Sequence, residues 1–355
     1  MSTKQLYNLV KKGKRGENVG IPTGIPKLDA VMYGIQKGYL YTIGASSGIG
    51  KSSFSISTFV YNLIENSKDT PISILFYSFE MSKEVLLAKL LSRHIYDNYG
   101  EIVTYEDILS LTQPISDEHL ALVNDSKEWL DSIEERMVVY DKPLSPNAIY
   151  ATCKEWLKSF GEFVAINEHK EDYIERDSST YKVVVWDHVG LCAGPGSKKE
   201  KIDILADYAI YFRNKCHISG IFVQQLNRGV SSMDRKTNGF ELVGLEDFKD
   251  SSGTTDASEI VIALYSPYRE KIARCEGYPI QNVLKDRFIL LEVIKNRFGR
   301  SGVNIGTIFH GEINRFIQLP KPEEIGDYTK YLDLTYIEKD DKKETDEDNK
   351  NIFKF

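Results

Sequence analysis

The stretch Gly44-Ala45-Ser46-Ser47-Gly48-Ile49-Gly50-Lys51-Ser52 decides the fold, because two segments of different periodicity meet at it. The run YLYTIG, which ends at Gly44, is apolar and rich in strand-forming residues, as is typical of a buried β-strand. After the stretch, apolar residues recur at helical spacing, at Ile56, Phe59, Val60, Leu63 and Ile64. A strand, a glycine-rich turn and a helix in this order form one unit of a parallel sheet covered by helices.

The same alternation continues along the chain and predicts an α/β fold. Short β-branched or aromatic runs alternate with segments of helical periodicity, which is the pattern of a mostly parallel central sheet flanked by helices. The predicted strands are residues 40–44, 72–78, 137–141, 182–187, 220–225, 259–265 and 288–297. Two polar stretches, 162–180 and 229–245, interrupt the pattern, and we expect both outside the core.

Composition and charge exclude several classes of protein. Of 355 residues, 41% are apolar, which is enough for a packed core and excludes a chain that is disordered overall. The 52 acidic residues outnumber the 45 lysines and arginines, so any anionic partner must be met by local basic patches. The four cysteines form no CxxC pair, which argues against a zinc ribbon. No segment resembles a signal peptide or a membrane span, so we expect a soluble, cytoplasmic protein with no membrane partner.

The glycine-rich stretch has the features of a phosphate-binding loop. Glycines let the backbone curl so that N–H groups and a helix N-terminus point at phosphate oxygens, while Lys51 adds a charge and Ser52 a hydroxyl for Mg²⁺. The predicted ligands are therefore ATP and Mg²⁺. The predicted nucleotide-binding residues are Ala45, Ser46, Ser47, Gly48, Ile49, Gly50, Lys51, Ser52 and Ser53. The strict motif has glycine where Ala45 stands, and a glycine-rich turn that binds no nucleotide is the alternative.

Two carboxylates at strand ends suggest hydrolysis. Asp187 closes an apolar run, and Glu80 follows the strand predicted at 72–78, so both are expected at the same edge of the sheet as the loop. Asp187 could hold the waters of a magnesium ion, and Glu80 could orient and deprotonate the attacking water. Alternatively, Glu80 belongs only to a helix cap, because Met81-Ser82-Lys83-Glu84 has the pattern of a helix N-terminus.

Six segments together resemble the C-terminal motor domain of DnaB-type replicative helicases, over about residues 20–318. They are GIPTGIPKLDAVMYGIQKGYLYTIGASSGIGKSS, LFYSFEMSKE, VVVWDHVGL, VQQLNR, LEDFKDSSGTTDASEIV and VIKNRFGRSGVNIGTIF. An alanine at the start of the loop and the SFEM run are features of that family. The resemblance implies a RecA-like P-loop NTPase core in a hexameric ring. Such a ring threads single-stranded DNA, moves 5′ to 3′ by ATP hydrolysis and unwinds duplex at the replication fork.

The resemblance also implies roles for single residues. Gln225 is similar to the polar sensor of the γ-phosphate, and Lys295 and Arg297 are similar to a basic pair donated by the neighbouring subunit, with Arg297 as the arginine finger. Without the family, a solvated strand edge is the better explanation of this pair. The candidate DNA-binding residues are Lys198, Lys199, Lys201, Arg235, Lys236, Lys249, Asp250 and Ser252. Lys249-Asp250-Ser251-Ser252 replaces the family's usual Arg-Glu-Ser-Gly, and the lysines after residue 197 could be an ordinary surface run.

We divide the chain into a linker arm at 1–19, a motor domain at 20–320 and an acidic, disordered tail at 321–355. The family's N-terminal collar domain is not expected here, so the chain resembles a reduced form such as a phage encodes. Residues 338–350 carry seven acids against four lysines, and the chain ends on Phe355. Acidic tails with a terminal aromatic residue are similar to those that bind replicative polymerases. The candidate partners are thus single-stranded DNA, other copies of the chain, a primase, a polymerase and a helicase loader.

Two other functions share many of these features. A RecA-like recombinase or recombination mediator has the same loop and acid, although the SFEM and KNR segments favour the helicase. A regulatory RecA-like ATPase would hydrolyse ATP without responding to DNA. Unwinding of a forked duplex distinguishes the helicase from the first alternative, and stimulation of ATP turnover by single-stranded DNA distinguishes it from the second.

Overall fold

A nine-stranded sheet forms the centre of the protein. The computed structural model describes residues 3–14, 18–168, 170–226 and 243–335. The strand order is β13-β12-β11-β8-β1-β7-β6-β2-β3, with a separate hairpin β4–β5 and a two-residue pair β9–β10. The strands are β1 (Leu40–Ala45), β2 (Ile72–Ser78), β3 (Met137–Tyr140), β4 (Gly161–Asn167), β5 (Lys170–Glu175), β6 (Tyr181–Asp187), β7 (Ser219–Gln225), β8 (Ile260–Tyr265), β9 (Arg274–Cys275), β10 (Tyr278–Pro279), β11 (Phe288–Asn296), β12 (Val303–His310) and β13 (Arg315–Gln318).

The predicted α/β class is confirmed. All seven predicted strands are present; 72–78 matches at both ends, and each of the others differs by one residue at one end. The six strands from β8 to β3 are parallel, whereas β11, β12 and β13 add an antiparallel edge. Strands β12 and β13 were not among the predicted strands. Because parallel strands end at one edge of the sheet, the carboxyl ends of β1, β2, β6, β7 and β8 meet there.

Helices cover both faces of the sheet. They are α1 (Thr3–Lys14), α2 (Pro26–Met32), α3 (Lys51–Ile56), α4 (Asn62–Glu65), α5 (Lys83–Tyr99), α6 (Tyr105–Ile108), α7 (Asp117–Asp125), α8 (Lys127–Arg136), α9 (Pro146–Leu157), α10 (Lys198–Cys216), α11 (Ser252–Ala257) and α12 (Thr329–Leu332). A π-turn, Ser57–Tyr61, joins α3 to α4, so residues 51–65 form one helical segment. The five apolar residues that predicted this helix are all buried. Within the described residues, no helix is both long and apolar enough to span a membrane.

Two hydrophobic cores lie on opposite faces of the sheet. Strand β6 contributes Val183 and Val185 to one core, and Val184 and Trp186 to the other. Successive side chains of a strand point to opposite faces, so a strand buried on both sides is a continuous apolar run without alternation. This explains why Val183–Trp186 contains no polar residue.

The polar stretch 162–180 is only partly outside the core, so that prediction was wrong for its inner face. Residues 161–167 and 170–175 form the hairpin β4–β5, which is separate from the main sheet. However, Tyr173 is buried in the second core and its hydroxyl donates to the Leu157 carbonyl at 2.9 Å. Ion pairs fix the hairpin to α9 and α10, from Lys154 to Glu171 and from Lys215 to Asp172. Charge in this stretch therefore anchors the hairpin rather than excluding it from the fold.

Ordered packing continues beyond residue 320. Ile325 and Leu334 are buried, and the Tyr96 hydroxyl donates to the Leu334 carbonyl at 2.7 Å. The described residues 321–335 thus differ from the disordered tail that we expected, because a few apolar side chains suffice to hold a short segment on the domain. Residues 336–355, including Phe355, lie outside the described residues, as do 227–242 with Arg235 and Lys236.

Candidate nucleotide-binding site

The glycine-rich turn joins the end of β1 to the start of α3. β1 ends at Ala45 and α3 begins at Lys51. Gly50 precedes the helix with a φ of 102°, which residues with a side chain rarely adopt. A turn that leads onto a helix N-terminus presents main-chain N–H groups to an anion, so the backbone has the form of a phosphate cradle.

The glycine that lies one residue earlier than the strict motif requires has a packing role. A Cβ atom at Gly44 would lie 2.3 Å from the ring of Phe248, which is buried. No real contact is that short, so this position accepts only glycine. The buried Ala45 beside it carries its methyl group within the core. Close packing on Phe248 therefore accounts for the glycine at position 44.

Four predicted residues converge at the carboxyl edge of the sheet. The Lys51 ammonium lies 2.9 Å from the Glu80 carboxylate. Ser52 Oγ donates to Asp187 Oδ1 at 3.0 Å. Lys51 and Ser52 come from the first turn of α3, Glu80 follows β2, and Asp187 ends β6. We call Lys51, Ser52, Glu80, Asp187 and the turn at 45–50 the phosphate site.

Asp187 has the properties of a residue that binds a hydrated cation. Its side chain is almost fully buried, and burial raises its pKa to about 6 against the opposing hydrogen bond from Ser52 and the charge of Lys51. Within the described part of the chain, Asp187 Oδ2 has no hydrogen-bond partner. A buried carboxylate oxygen without a partner needs an explanation, and Mg²⁺ takes hard oxygen ligands and waters. Asp187 and Ser52 therefore fit a magnesium ion.

The helix cap and Glu80 are distinct features. Ser82, not Glu80, caps α5, because Ser82 Oγ accepts from the Val85 N–H at 3.5 Å. Glu80 instead contacts Lys51, with about half of its side chain exposed. The predicted cap is thus present, and it leaves the Glu80 carboxylate directed at the phosphate site.

Gln225 ends β7 opposite Ala45, beside the turn. The preceding Gln224 is buried, and its Oε1 accepts from the Thr254 hydroxyl of α11 at 2.6 Å. Since consecutive residues of a strand point to opposite faces, the Gln225 side chain lies on the other side of the sheet from that contact. Its predicted role as a γ-phosphate sensor stays a prediction.

The predicted basic pair contacts its own chain, away from the phosphate site. Lys295 Nζ donates to the Thr255 carbonyl at 2.6 Å. Arg297 donates from Nη2 to the Asp256 carbonyl at 2.7 Å and from Nη1 to Glu259 Oε1 at 3.1 Å. Arg297 lies one residue beyond β11, whose ladder to β8 is irregular between Val293 and Lys295. Burial, and then the charge of Arg297, lower the pKa of Lys295.

The described candidate DNA-binding residues lie in two segments, the start of α10 and the turn that leads into α11. Lys198 and Lys199 are exposed in the first turn of α10. Lys201 Nζ donates to the Cys192 carbonyl at 2.6 Å, which indicates an anchor for the preceding loop. Lys249 and Asp250 lie in the 3₁₀ turn Leu245–Ser251, which leads directly into α11 at the exposed Ser252. Arg235 and Lys236 lie outside the described residues.

Arg269 belongs to the surroundings of the turn, and the sequence analysis missed it. Its guanidinium donates to the Ser47 carbonyl at 2.7 Å and to the Gly48 carbonyl at 2.6 Å. It lies in the loop after β8, which pairs in parallel with β1. The only available signal was a cation shortly after a predicted strand, and several other cations in the chain share that property.

Comparison with known proteins gives a family match and several curated relatives. The family model of the DnaB-like helicase C-terminal domain matches residues 20–318. The replicative DNA helicase DnaB of Helicobacter pylori is 25% identical over 273 residues, which are 76% of this chain and 48% of that protein. The replicative DNA helicase DnaC of Bacillus subtilis is 22% identical over 327 residues, 89% of this chain and 59% of that protein. The chain thus spans about half the length of the curated relatives it matches.

Solved structures show the same fold. One, the isolated ATPase domain of another protein, superposes with a TM-score of 0.66 at 17% identity, covering 89% of this chain and 98% of that one. A DnaB-like replicative helicase, described with its interactions with primase, superposes with a TM-score of 0.64 at 16% identity, covering 90% of this chain and 67% of that one. The predicted RecA-like core and the resemblance on which it rested are therefore confirmed. With a family match over most of its length, this chain belongs to the DnaB-like helicase C-terminal domain family.

Proposed function

We propose that this chain is the ATP-driven motor of a replicative DNA helicase. It binds ATP and Mg²⁺ at the phosphate site, assembles as a homo-hexamer and hydrolyses ATP between subunits. The ring translocates 5′ to 3′ along single-stranded DNA and unwinds duplex at the replication fork. Family membership supports the class of function. The convergence of Lys51 on Glu80 and of Ser52 on Asp187 is the observation that carries the hydrolytic part.

Lys51 exchanges partners when nucleotide binds. In the free site its ammonium pairs with the Glu80 carboxylate at 2.9 Å. The phosphates of ATP carry more negative charge than one carboxylate and lie in the cradle that Lys51 borders, so Lys51 turns to them. Glu80, which is half exposed, is then free to accept a proton from the attacking water. Pairing with Lys51 keeps Glu80 occupied until substrate arrives.

Ser52 and Asp187 hold the metal. The ion, when bound, supplies positive charge that screens the phosphates and stabilises the transferring phosphoryl group. Asp187 would bind the ion through water, with its buried carboxylate oriented by the hydrogen bond from the Ser52 hydroxyl. Arg269 fixes the turn by binding two of its carbonyl groups, which directs the neighbouring N–H groups toward the phosphates.

Arg297 completes the site of the neighbouring subunit. A guanidinium supplied in trans stabilises charge on the transferring phosphoryl group and makes hydrolysis depend on assembly. The pair Lys295 and Arg297 is directed onto its own α11 and Glu259, away from its own phosphate site, as this role requires. Gln225, at the end of β7, is the candidate sensor of the γ-phosphate.

The DNA lies against the exposed lysines at 198 and 199 and the turn at 249–252. Lysines and backbone groups hold phosphates without reading sequence, so binding should weaken as salt rises. Because this chain spans only part of its curated relatives, its partners are part of the proposal. We place it in the cytoplasm of its host cell, with a primase, a polymerase and a helicase loader as partners.

The first test is the ATPase rate with and without single-stranded DNA, with the mass of the assembly measured by light scattering in each condition. We expect strong stimulation by DNA on a ring of about six subunits, followed by unwinding of a forked duplex. A turnover indifferent to DNA would favour the regulatory ATPase, and strand exchange without unwinding would favour the recombinase.

A further inference from the structure

Glu259 is a buried carboxylate shared by two arginines. Only 7% of its side chain is exposed. Its Oε2 accepts the Leu40 N–H at 2.7 Å, while Oε1 accepts from Arg213 Nη1 at 2.6 Å and from Arg297 Nη1 at 3.1 Å. The carboxylate is therefore fixed to the first residue of β1 and to α10 before it binds Arg297.

The last turn of α11 provides further acceptors at the same place. The final carbonyl groups of a helix lack partners within the helix, so they bind donors from elsewhere. Here the Thr255 carbonyl binds Lys295 Nζ at 2.6 Å, and the Asp256 carbonyl binds Arg297 Nη2 at 2.7 Å. We call the Glu259 carboxylate and these two carbonyl groups the Glu259 seat.

The guanidinium of Arg297 is bonded to the Glu259 seat along one edge, and its other side is exposed to solvent. The Arg297 side chain is 44% exposed, in contrast to the buried Glu259. A guanidinium has five N–H donors in a planar fork, and the Glu259 seat takes one from each terminal nitrogen. Among the residues that the structure describes, none takes the remaining donors, so they are available to an anion that approaches from solvent.

We infer that Glu259 is a positioning residue for hydrolysis in the neighbouring subunit: with the α11 carbonyl groups it fixes the guanidinium of Arg297 in the orientation that the neighbour's nucleotide requires. This inference rests on the proposed role of Arg297 in trans. An unrestrained arginine samples many rotamers, whereas a preorganised donor needs little rearrangement when charge develops on the phosphate. Arg213 remains bonded to Glu259 throughout, so the Glu259 seat keeps its charge balance when Arg297 engages the nucleotide.

The test uses two inactive variants that complement each other. Glu80→Gln subunits lack the base but carry an intact Arg297, whereas Arg297→Ala subunits have an intact phosphate site. Mixed rings should therefore recover DNA-stimulated ATP hydrolysis at interfaces where the first donates to the second. Glu259→Gln is then introduced either into the Glu80→Gln subunits, which we call the donor, or into the Arg297→Ala subunits, which we call the acceptor.

The position of the added change decides the outcome. When the donor subunit carries both Glu80→Gln and Glu259→Gln, we expect the recovered rate of ATP hydrolysis to fall about tenfold or more. That is the scale of a misplaced catalytic group. On the acceptor, Arg297→Ala with Glu259→Gln, we expect the recovered rate to stay unchanged. Glu312→Gln, which breaks the remote pair with Arg287, is the matched control and should have no effect on either side.

Two results would overturn the inference. Equal losses on donor and acceptor, or no loss on the donor, would show that Glu259 does not act through Arg297. If rings mixed from Glu80→Gln and Arg297→Ala subunits recover no ATP hydrolysis, the proposed role of Arg297 itself is contradicted. If Glu259→Gln lowers the melting temperature by circular dichroism more than Glu312→Gln does, Glu259→Asp replaces it. That change keeps the charge but shortens the reach, and it should give the same donor-side loss.

Discussion

The phosphate site and the Glu259 seat are built in opposite ways. At the phosphate site, the functional side chains from α3, β2 and β6 already contact one another within one chain. At the Glu259 seat, the contacts of the basic pair within the described residues are with groups that hold it, and the open edge of Arg297 faces solvent. Under the proposed function, each subunit would carry most of one active site and the missing part of another. We expect a motor divided in this way to hydrolyse ATP only where two subunits meet.

Lys51→Ala should have the largest effect, because it lowers both the rate of hydrolysis and the binding of ATP. Removing a positive charge that contacts the transferring phosphoryl group costs about a thousandfold in rate. ATP binding should weaken as well, since the same charge holds the phosphates. The measurement is DNA-stimulated ATPase activity together with binding of a fluorescent ATP analogue. Turnover at the wild-type rate would refute the assignment of the phosphate site.

Arg297→Ala should separate the hydrolysis of ATP, which it lowers, from the binding of nucleotide, which it leaves unchanged. We expect hydrolysis to fall by about a thousandfold, the lower end of the range for arginine fingers, because Lys295 remains. Nucleotide binding to the same subunit should stay unchanged, since Arg297 does not contact its own phosphate site. Arg300→Ala, three residues away and exposed, is the matched control. A large loss of nucleotide binding by Arg297→Ala would contradict the division between subunits.

Asp187→Asn tests whether the phosphate site binds magnesium. The change keeps the shape but removes the charge, so the magnesium concentration needed for half-maximal hydrolysis should rise by about 10- to 100-fold, as for other outer ligands of metals. Excess magnesium should restore part of the rate. Asp141→Asn is the control, because Asp141 follows β3 at the same sheet edge but accepts from the Lys83 N–H instead. An unchanged magnesium titration for Asp187→Asn would argue against the metal site.

Arg269→Ala should give the smallest effect and sharpen the description of the turn. Loss of two exposed hydrogen bonds to Ser47 and Gly48 should raise the KM for ATP by about fivefold. The kcat should change little, because Arg269 contacts the backbone of the turn. Arg274→Ala, which breaks a similar bond to the Gly277 carbonyl, is the control. A larger fall in kcat than rise in KM would instead mean that Arg269 acts in the chemical step.

Sequence patterns predicted the parts of the site that adjacent residues specify. The strand before Gly44, the helix after Lys51 and the Ser82 cap are encoded within a few positions, so periodicity and capping preferences indicated them. The strand ends at Glu80 and Asp187 were likewise local signals. That these two acids meet Lys51 and Ser52 followed from a general property of parallel sheets, without knowledge of strand order.

Contacts between distant segments were not predictable in this way. Arg269 reaches the turn from 222 residues away, because β8 lies beside β1. The hairpin at 161–175 has a polar sequence, yet ion pairs with α9 and α10 seat Tyr173 in a core. Residues 321–335 lack periodicity but pack through Ile325 and Leu334. In each case a partner remote in sequence decides whether a side chain is buried.

By itself, the sequence determined the α/β class, the phosphate-binding turn and the identity of the acids, because each depends on residues close together in the chain. Only the tertiary structure decided that Gly44 packs on Phe248, that Arg269 holds the turn and that Glu259 holds Arg297. Those contacts depend on which strands are neighbours and on the path of the connections between them. Strand order arises from burial of both faces of the whole sheet, and no single stretch of sequence carries that information.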